Sequence, residues 1–131
     1  MSEKYSILYV DDEEINLRIF KNSFRKDFDV HIAISAEEGL NILEKTKVDI
    51  IITDQMMPEI TGVEFLKRIN EIFPHIPPSR LMISGYAEDE AIETAFEKYN
   101  LYRFISKPWN SEMLKQAINE AINLNSEHNI S

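Results

Sequence analysis

The clearest structural signal in the chain is the segment VDIIITD, residues 48–54. Its β-branched residues follow one another almost without interruption, which is typical of a parallel strand covered by helices on both faces. Such a strand lies inside a sheet, and this one runs directly into the carboxylate of Asp54. The segment therefore predicts an α/β fold with a chemically active group at the end of a central strand.

The rest of the chain extends this pattern on both sides. Further apolar runs occupy residues 5–10, 28–34, 80–84 and 102–106, and between them apolar residues recur at helical spacing. A fivefold alternation of strand and helix implies right-handed βαβ crossovers and an open parallel sheet between two helical layers. Two helix starts are also readable, because Ser35 with Glu38 fits a capping box and Asn110 can cap the last helix.

Length and composition restrict the function. The 131 residues, 44% of them hydrophobic, are enough for one domain with a packed core. We place this domain at residues 1–124 and expect the polar end, residues 125–131, to be a frayed tail. A formal net charge of −9 without a basic run argues against direct nucleic-acid binding.

The chain has no cysteine, so a metal site must use oxygen or imidazole ligands. There is no run of about 18 apolar residues that would span a membrane, and the short apolar run near the start is too brief for a signal peptide. We therefore expect a soluble, cytoplasmic protein with no membrane partner.

The candidate functional residues lie where the predicted strands stop. Asp11 and Asp12 follow the first strand, Asp54 follows the third, Ser84 ends the fourth and Lys107 follows the fifth. In an open parallel sheet these strand ends share one edge, where ligands bind. Clustered carboxylates would repel each other without a cation, so the pattern favours a hard divalent ion, with Mg²⁺ as the first candidate.

Each of these residues also has an ordinary structural interpretation. The acidic residues 11–14 fit a helix start, Asp54 fits a turn, and Lys107 fits a solvated charge. Taken together, however, a carboxylate pair, a single Asp, a hydroxyl and a Lys fit phosphoryl transfer to a carboxylate. In that chemistry a cation shields the charge, Lys107 pairs with a phosphoryl oxygen and Ser84 donates a hydrogen bond.

On these motifs the chain resembles the receiver domains of two-component response regulators, over roughly residues 4–124. The resemblance is carried by four segments, namely ILYVDDE (7–13), DIIITDQMMP (49–58) with Gly62, MISGY (82–86) and FISKPW (104–109). It implies a flavodoxin-like, doubly wound fold, with the five parallel strands in the order 2-1-3-4-5.

The resemblance also implies a role for each candidate residue. Asp54 is then the phosphoacceptor, and Ser84 and Lys107 hold the phosphoryl group. A Mg²⁺ or Mn²⁺ ion is held by Asp12 directly, by Asp11 through water, by Asp54 and by the backbone carbonyl of Met56. A cis peptide is implied between Lys107 and Pro108, where the preference for trans is weak.

Two aromatic residues near the fifth strand have different expectations. Phe104 matches the rotating switch aromatic of the family, which acts together with Ser84, although an ordinary core position is the alternative. Trp109 is expected to pack beside the last helix.

The resemblance implies a phosphorylation-activated signalling switch. A sensor histidine kinase would donate the phosphoryl group, and the domain would assist its own phosphorylation and dephosphorylation without being an enzyme with a separate substrate. An output domain or effector protein would bind the face made by the fourth helix, fifth strand and fifth helix. Many receivers form phosphorylation-linked homodimers through that face.

Two other classes of function fit the sequence less well. A flavodoxin-like enzyme would need a hydroxyl- or Gly-rich phosphate loop after the first strand, and a haloacid-dehalogenase-like enzyme would need an Asp-x-Asp pair there, but the residues after the first strand have neither. A degenerate receiver acting as a constitutive adaptor is disfavoured because the acceptor, acidic pair, hydroxyl and Lys are all present.

The sequence departs from commoner receivers at Gln55, Met56 and Tyr86. Water attacking the acyl phosphate would pass between Met56 and Tyr86, which are both large. Neither a thioether nor a phenol with a reference pKa of about 10 is a good general base near neutral pH. We therefore predict slow self-dephosphorylation.

Overall fold

The computed structural model describes residues 4–76, 79–85 and 89–130. Strands and helices alternate along the chain as predicted, and no strand boundary differs from its prediction by more than two residues. The elements are β1 (Ser6–Val10), α1 (Glu14–Phe24), β2 (Asp29–Ala33), α2 (Ala36–Lys45), β3 (Ile50–Thr53), α3 (Gly62–Ile72), β4 (Arg80–Ser84), α4 (Asp89–Lys98), β5 (Leu101–Ser106) and α5 (Ser111–Ile130).

The five strands form one parallel sheet in the order β2-β1-β3-β4-β5. The predicted α/β class and the strand order are therefore confirmed. Every residue of β3 is buried, as its β-branched sequence predicts for a central strand. Since β1 and β3 are neighbours, their carboxyl ends, which precede Asp11 and Asp54, lie side by side.

Two hydrophobic cores cover the two faces of the sheet. One face packs against α1 and α5 through buried residues such as Phe20 and Ile118. The other face packs against α2, α3 and α4 through residues such as Phe65, Ile69 and Ala95. The apolar stripes that predicted the helices are the faces that form these cores.

Both predicted N-terminal caps are present. Ser35 Oγ accepts a hydrogen bond from the backbone N–H of Glu38 at 3.1 Å. Asn110 Oδ1 accepts from the backbone N–H groups of Glu112 and Met113 at 2.9 and 3.1 Å. These bonds satisfy amide groups that have no partner inside their own helix.

The end of the chain differs from the expectation of a frayed tail. Instead of fraying after Leu124, α5 continues as a helix to Ile130. Asn125 is buried and ties the helix to the sheet, because its Oδ1 accepts from Ser79 N and its Nδ2 donates to Asp49 O. The domain boundary at residue 124 stays a prediction.

Although α5 is 20 residues long, neither it nor any other described helix has the apolar length to cross a membrane.

A buried arginine occupies the amino end of β4. Arg80 is 1% exposed, and its Nη1 donates to Asn70 Oδ1 at 2.7 Å and, at 3.4 Å, to the carbonyl oxygens of Leu66 and Tyr99. Burial lowers the pKa of Arg80 to about 10. The guanidinium therefore joins β4 to α3 and to the end of α4 through groups that the sequence pattern did not single out.

Candidate functional site

The first and third strands deliver their acidic residues to the same edge of the sheet. The backbone hydrogen bonds between strands continue one residue beyond β1 and β3. Asp11 N donates to Ala33 O at 3.1 Å, and Asp54 N donates to Val10 O at 2.9 Å. These bonds hold the backbone of both residues in place. The sheet itself therefore sets the position of the site.

Three carboxylates meet at this edge. Asp11, Asp12 and Asp54 each offer an oxygen, and these oxygens all lie within 4.8 Å of one another. Asp11 is fully buried and Asp54 is 4% exposed, whereas Asp12 is partly exposed. Oxygen donors at this density suit a hard divalent cation.

Lys107 bridges two of the carboxylates. Its Nζ lies 3.0 Å from Asp11 Oδ2 and 3.2 Å from Asp54 Oδ2. The lysine follows β5, its backbone N–H donates to Ser84 O at 3.0 Å, and the predicted cis peptide to Pro108 is present. Burial lowers the pKa of Lys107, but the hydrogen bonds and charges of Asp11 and Asp54 outweigh burial and raise it above 10.5.

Asp54 has one oxygen without a partner among the described residues. Its Oδ1 is buried and accepts no hydrogen bond from the described residues, although Oδ2 accepts from Lys107. A buried carboxylate oxygen is costly when unpaired, and native proteins rarely leave one so. An unpartnered oxygen beside two other carboxylates fits a site that takes a divalent cation and an incoming group.

Asp11 accepts four hydrogen bonds from the described residues, and sequence reasoning missed the side-chain donors Tyr9 and Asn16. Tyr9 OH lies 2.6 Å and Asn16 Nδ2 3.3 Å from Asp11 Oδ2, while the backbone N–H of Glu13 donates to Oδ1 at 3.0 Å. Burial, and then the charge and hydrogen bond of Asp11, raise the pKa of Tyr9, so the phenol stays a donor. The spacing of two residues along a strand could have revealed Tyr9, since such residues share a face.

The loop after β3 is tied down by its own side chains. Gln55 Oε1 accepts from Val63 N at 2.9 Å, and Thr61 Oγ1 caps α3 by accepting from Glu64 N at 3.2 Å. Gly62 has to be a glycine, because a Cβ at this position would overlap the backbone oxygen of Asp54. The loop therefore brings α3 directly against the acceptor candidate.

The other described site candidates lie on β4, on β5 and in the loop after β3. Ser84 is buried at the end of β4, next to Ser106 in the sheet register. Phe104 is partly buried against the core on the α2, α3 and α4 side, so its switch role stays a prediction. The Met56 side chain is half-exposed, and the role of its carbonyl as a metal ligand is likewise untested. Tyr86 lies outside the described residues.

Trp109 packs against the core that α1 and α5 form together. Its ring centroid lies 6.1 Å from that of Phe20 and 5.6 Å from that of Phe24, both on α1. This placement agrees with the expectation that Trp109 packs beside the last helix, and the ring contacts with α1 add to it.

The chain matches a known protein family. The family model described as the response regulator receiver domain matches residues 7–119. The chain is 38% identical over 124 residues to the hydrogenase transcriptional regulatory protein HoxA of Bradyrhizobium diazoefficiens, a match that covers 95% of this chain and 25% of that protein. It spans about a quarter of the length of HoxA.

Shorter relatives and solved structures match over nearly their whole length. The chemotaxis protein CheY of Pseudomonas aeruginosa is 35% identical over 118 residues, which cover 86% of this chain and 91% of that protein. The crystal structure of a CheY-like response regulator receiver domain protein from Methanospirillum hungatei JF-1 superposes with a TM-score of 0.87 at 26% identity. That match covers 96% of this chain and 99% of the other.

Proposed function

The chain belongs to the response regulator receiver family, the phosphoryl-accepting switches of two-component signalling, and on that premise we propose that Asp54 is its phosphoacceptor. The observation that carries the proposal is the buried Asp54 Oδ1, which has no donor among the described residues. The carboxylate lies at the end of the central strand, within reach of a lysine and two further acids. No other acid among the described residues combines these features.

The proposed donor is the phosphohistidine of a sensor histidine kinase. An oxygen of Asp54 forms a bond to phosphorus while the phosphorus–nitrogen bond breaks, and its electron pair stays on the leaving imidazole. Lys107 exchanges its contact with Asp54 for a phosphoryl oxygen, and the Ser84 hydroxyl donates to another. The domain in this way assists its own phosphorylation while remaining a signalling switch.

The donor set fits the divalent ion that this chemistry calls for, Mg²⁺ or Mn²⁺. We assign Asp12 and Asp54 as direct ligands, Asp11 as a ligand through water and the Met56 carbonyl as a further ligand. Bound there, the ion offsets the negative charge of the carboxylates and the phosphoryl group. Asp12→Ala should therefore weaken Mg²⁺ binding more than Asp11→Ala does.

Phosphorylation by acetyl phosphate tests the acceptor. In Mg²⁺ buffer the parent should gain the mass of one phosphoryl group, whereas Asp54→Asn should gain none, and EDTA should abolish the reaction. Asp49→Asn is the matched control, because Asp49 precedes the same strand at the opposite end of the sheet. Labelling of Asp54→Asn at the parent rate, or labelling that is indifferent to EDTA, would reject the assignment.

We further propose that output runs through the α4, β5 and α5 face. Phe104 supports this route, because it is partly buried on β5 and lies beside Met82, the register partner that precedes Ser84 by two residues. When the Ser84 hydroxyl moves toward a phosphoryl oxygen, Phe104 can enter the space that is left. A bulky ring has two packed positions rather than a continuum, which gives the bistable element of a switch.

The output face is tested with beryllofluoride, a mimic of the phosphoryl group. Amide chemical shifts should change on α4, β5 and α5, and sedimentation should show whether a homodimer or a complex with an effector protein forms. Phe104→Leu should reduce these distant shifts while leaving beryllofluoride bound at Asp54. Shifts confined to other elements, with an unchanged monomer, would contradict the route. The cytoplasmic location stays a prediction.

A further inference from the structure

We propose that Tyr9 is a positioning residue of the metal site, because its hydroxyl holds Asp11 in the orientation that Mg²⁺ binding requires. The inference rests on the proposed function, since it concerns the same carboxylates. Tyr9 OH donates to Asp11 Oδ2 at 2.6 Å, the shortest of the four hydrogen bonds that this carboxylate accepts from the described residues. It is also the one provided by a fully buried side chain.

The position of the Tyr9 hydroxyl is fixed by the fold. Tyr9 lies in β1 with Ile32 of β2 and Ile52 of β3 as its register partners, so its backbone is held from both sides. Its ring is 0% exposed and stacks on Phe20 with centroids 4.4 Å apart. The other side-chain donors to Asp11, Asn16 and Lys107, are both partly exposed. Tyr9 is therefore the donor whose fixed position sets the orientation of the Asp11 carboxylate.

The hydrogen bonds divide the two oxygens of Asp11 into different roles. Oδ2 accepts from Tyr9, Asn16 and Lys107, whereas Oδ1 accepts only from the backbone N–H of Glu13 among the described residues. A carboxylate offers about four lone-pair positions in all, so Oδ2 is fully used. Oδ1 keeps the remaining capacity for the ion or its water. Partners that orient metal-binding carboxylates in this way commonly control metal affinity.

The test compares Tyr9→Phe, which removes only the hydroxyl, with the parent. Mg²⁺ affinity is followed by calorimetry and by the fluorescence of Trp109, the one tryptophan of the chain. Tyr9→Phe should raise the Kd for Mg²⁺ by about 10-fold. The rate of labelling by acetyl phosphate at saturating Mg²⁺ should change by less than about twofold, because the Tyr9 hydroxyl donates to Asp11 and not to the acceptor Asp54. Tyr5→Phe, at a half-exposed tyrosine, should match the parent.

A double-mutant cycle distinguishes positioning from packing. If Tyr9 acts through Asp11, Tyr9→Phe should have little further effect on Mg²⁺ affinity in an Asp11→Asn background. An equal loss in both backgrounds, or an unchanged Kd in Tyr9→Phe, would overturn the inference. If Tyr9→Phe does not fold, the parent protein with isotopically labelled tyrosine Cζ is titrated with Mg²⁺ and followed by NMR instead. The Tyr9 resonance must then shift with the Mg²⁺ binding midpoint, and a resonance that does not move also overturns it.

The two proposals fail in different ways. If the parent binds Mg²⁺ but is not labelled at Asp54, the phosphoacceptor proposal fails and the Tyr9 comparison of Mg²⁺ affinity still stands. If the parent is labelled normally and Tyr9→Phe binds Mg²⁺ equally well, only the role of Tyr9 fails. A parent that binds no Mg²⁺ would reject both.

Discussion

The two ends of the sheet treat their buried polar groups in opposite ways. At the amino end, Arg80 donates to an amide oxygen and two carbonyls, and Asn125 both accepts from and donates to the chain near Ser79. At the carboxyl end, Asp11 and Asp54 share one lysine, and Asp54 Oδ1 accepts nothing from the described residues. Arg80, Asn125, Asp11 and Asp54 are all at most 4% exposed, so burial alone does not separate structure from function.

The two ends differ in how completely the protein provides hydrogen-bond partners for their buried polar groups. A fully satisfied polar network stabilises a fold, whereas a cluster of like charges with too few donors lowers stability and leaves room for a ligand. We therefore expect the buried polar groups at the amino end to stabilise the fold, and those at the carboxyl end to lower its stability while providing a ligand site. Such partition is typical of functional sites built on rigid folds.

The largest predicted effect tests the amino end. Arg80→Leu should lower the free energy of unfolding by about 3 kcal/mol, because the acceptors on Asn70, Leu66 and Tyr99 lose a charged donor. Arg103→Leu is the matched control, since Arg103 pairs with Glu120 at a half-exposed site and should matter by less than about 0.5 kcal/mol. Urea unfolding measures both. Similar losses in the two variants would show that the amino end is not specially stabilising.

A substitution at the carboxyl end should lower stability by a smaller amount, and the loss should depend on whether Mg²⁺ is present. Lys107→Met removes the cation between Asp11 and Asp54, so without Mg²⁺ it should cost about 2 kcal/mol of stability. Adding Mg²⁺ should then stabilise Lys107→Met more than it stabilises the parent, because the ion replaces the missing positive charge. Thermal unfolding with and without Mg²⁺ measures the difference.

The control for this experiment is Lys115→Met, which removes an exposed ion pair with Asp27. It should change stability by less than about 0.5 kcal/mol and should leave the response to Mg²⁺ as in the parent. If Lys107→Met gains no more from Mg²⁺ than Lys115→Met, then Lys107 does not balance the charge of the site.

The same contrast explains what could be predicted from the sequence. The fold follows from local signals, since β-branched runs, apolar stripes and the caps at Ser35 and Asn110 each act within a few residues. The meeting of Asp11, Asp54 and Lys107 was also predictable, because parallel topology brings the ends of all strands to one edge. The sequence thus carries both the scaffold and the positions that chemistry can use.

The missed features all depend on contacts between distant segments. Arg80 of β4 donates a hydrogen bond to Asn70 of α3. Asn125 of α5 accepts one from the backbone of Ser79, and the ring of Trp109 packs against Phe24 of α1. The pairing of Tyr9 with Asp11 is local, but it needs the strand register to be known first. Side-chain partners chosen by tertiary packing leave no periodic signal in one sequence.

The smallest predicted effect concerns the lifetime of the acyl phosphate at the carboxyl end. Met56 lies two residues after Asp54 and is half-exposed, so it can hinder water without activating it. Met56→Asn keeps the backbone carbonyl and should speed hydrolysis by about 2–10-fold, equivalent to about 0.4–1.4 kcal/mol of barrier. Met113→Asn, at an exposed methionine of α5, should leave the rate unchanged. Decay of labelled protein in Mg²⁺ buffer measures the effect. Equal decay of the acyl phosphate in Met56→Asn and Met113→Asn would mean that the bulk of the Met56 side chain does not shield the phosphoryl group from water.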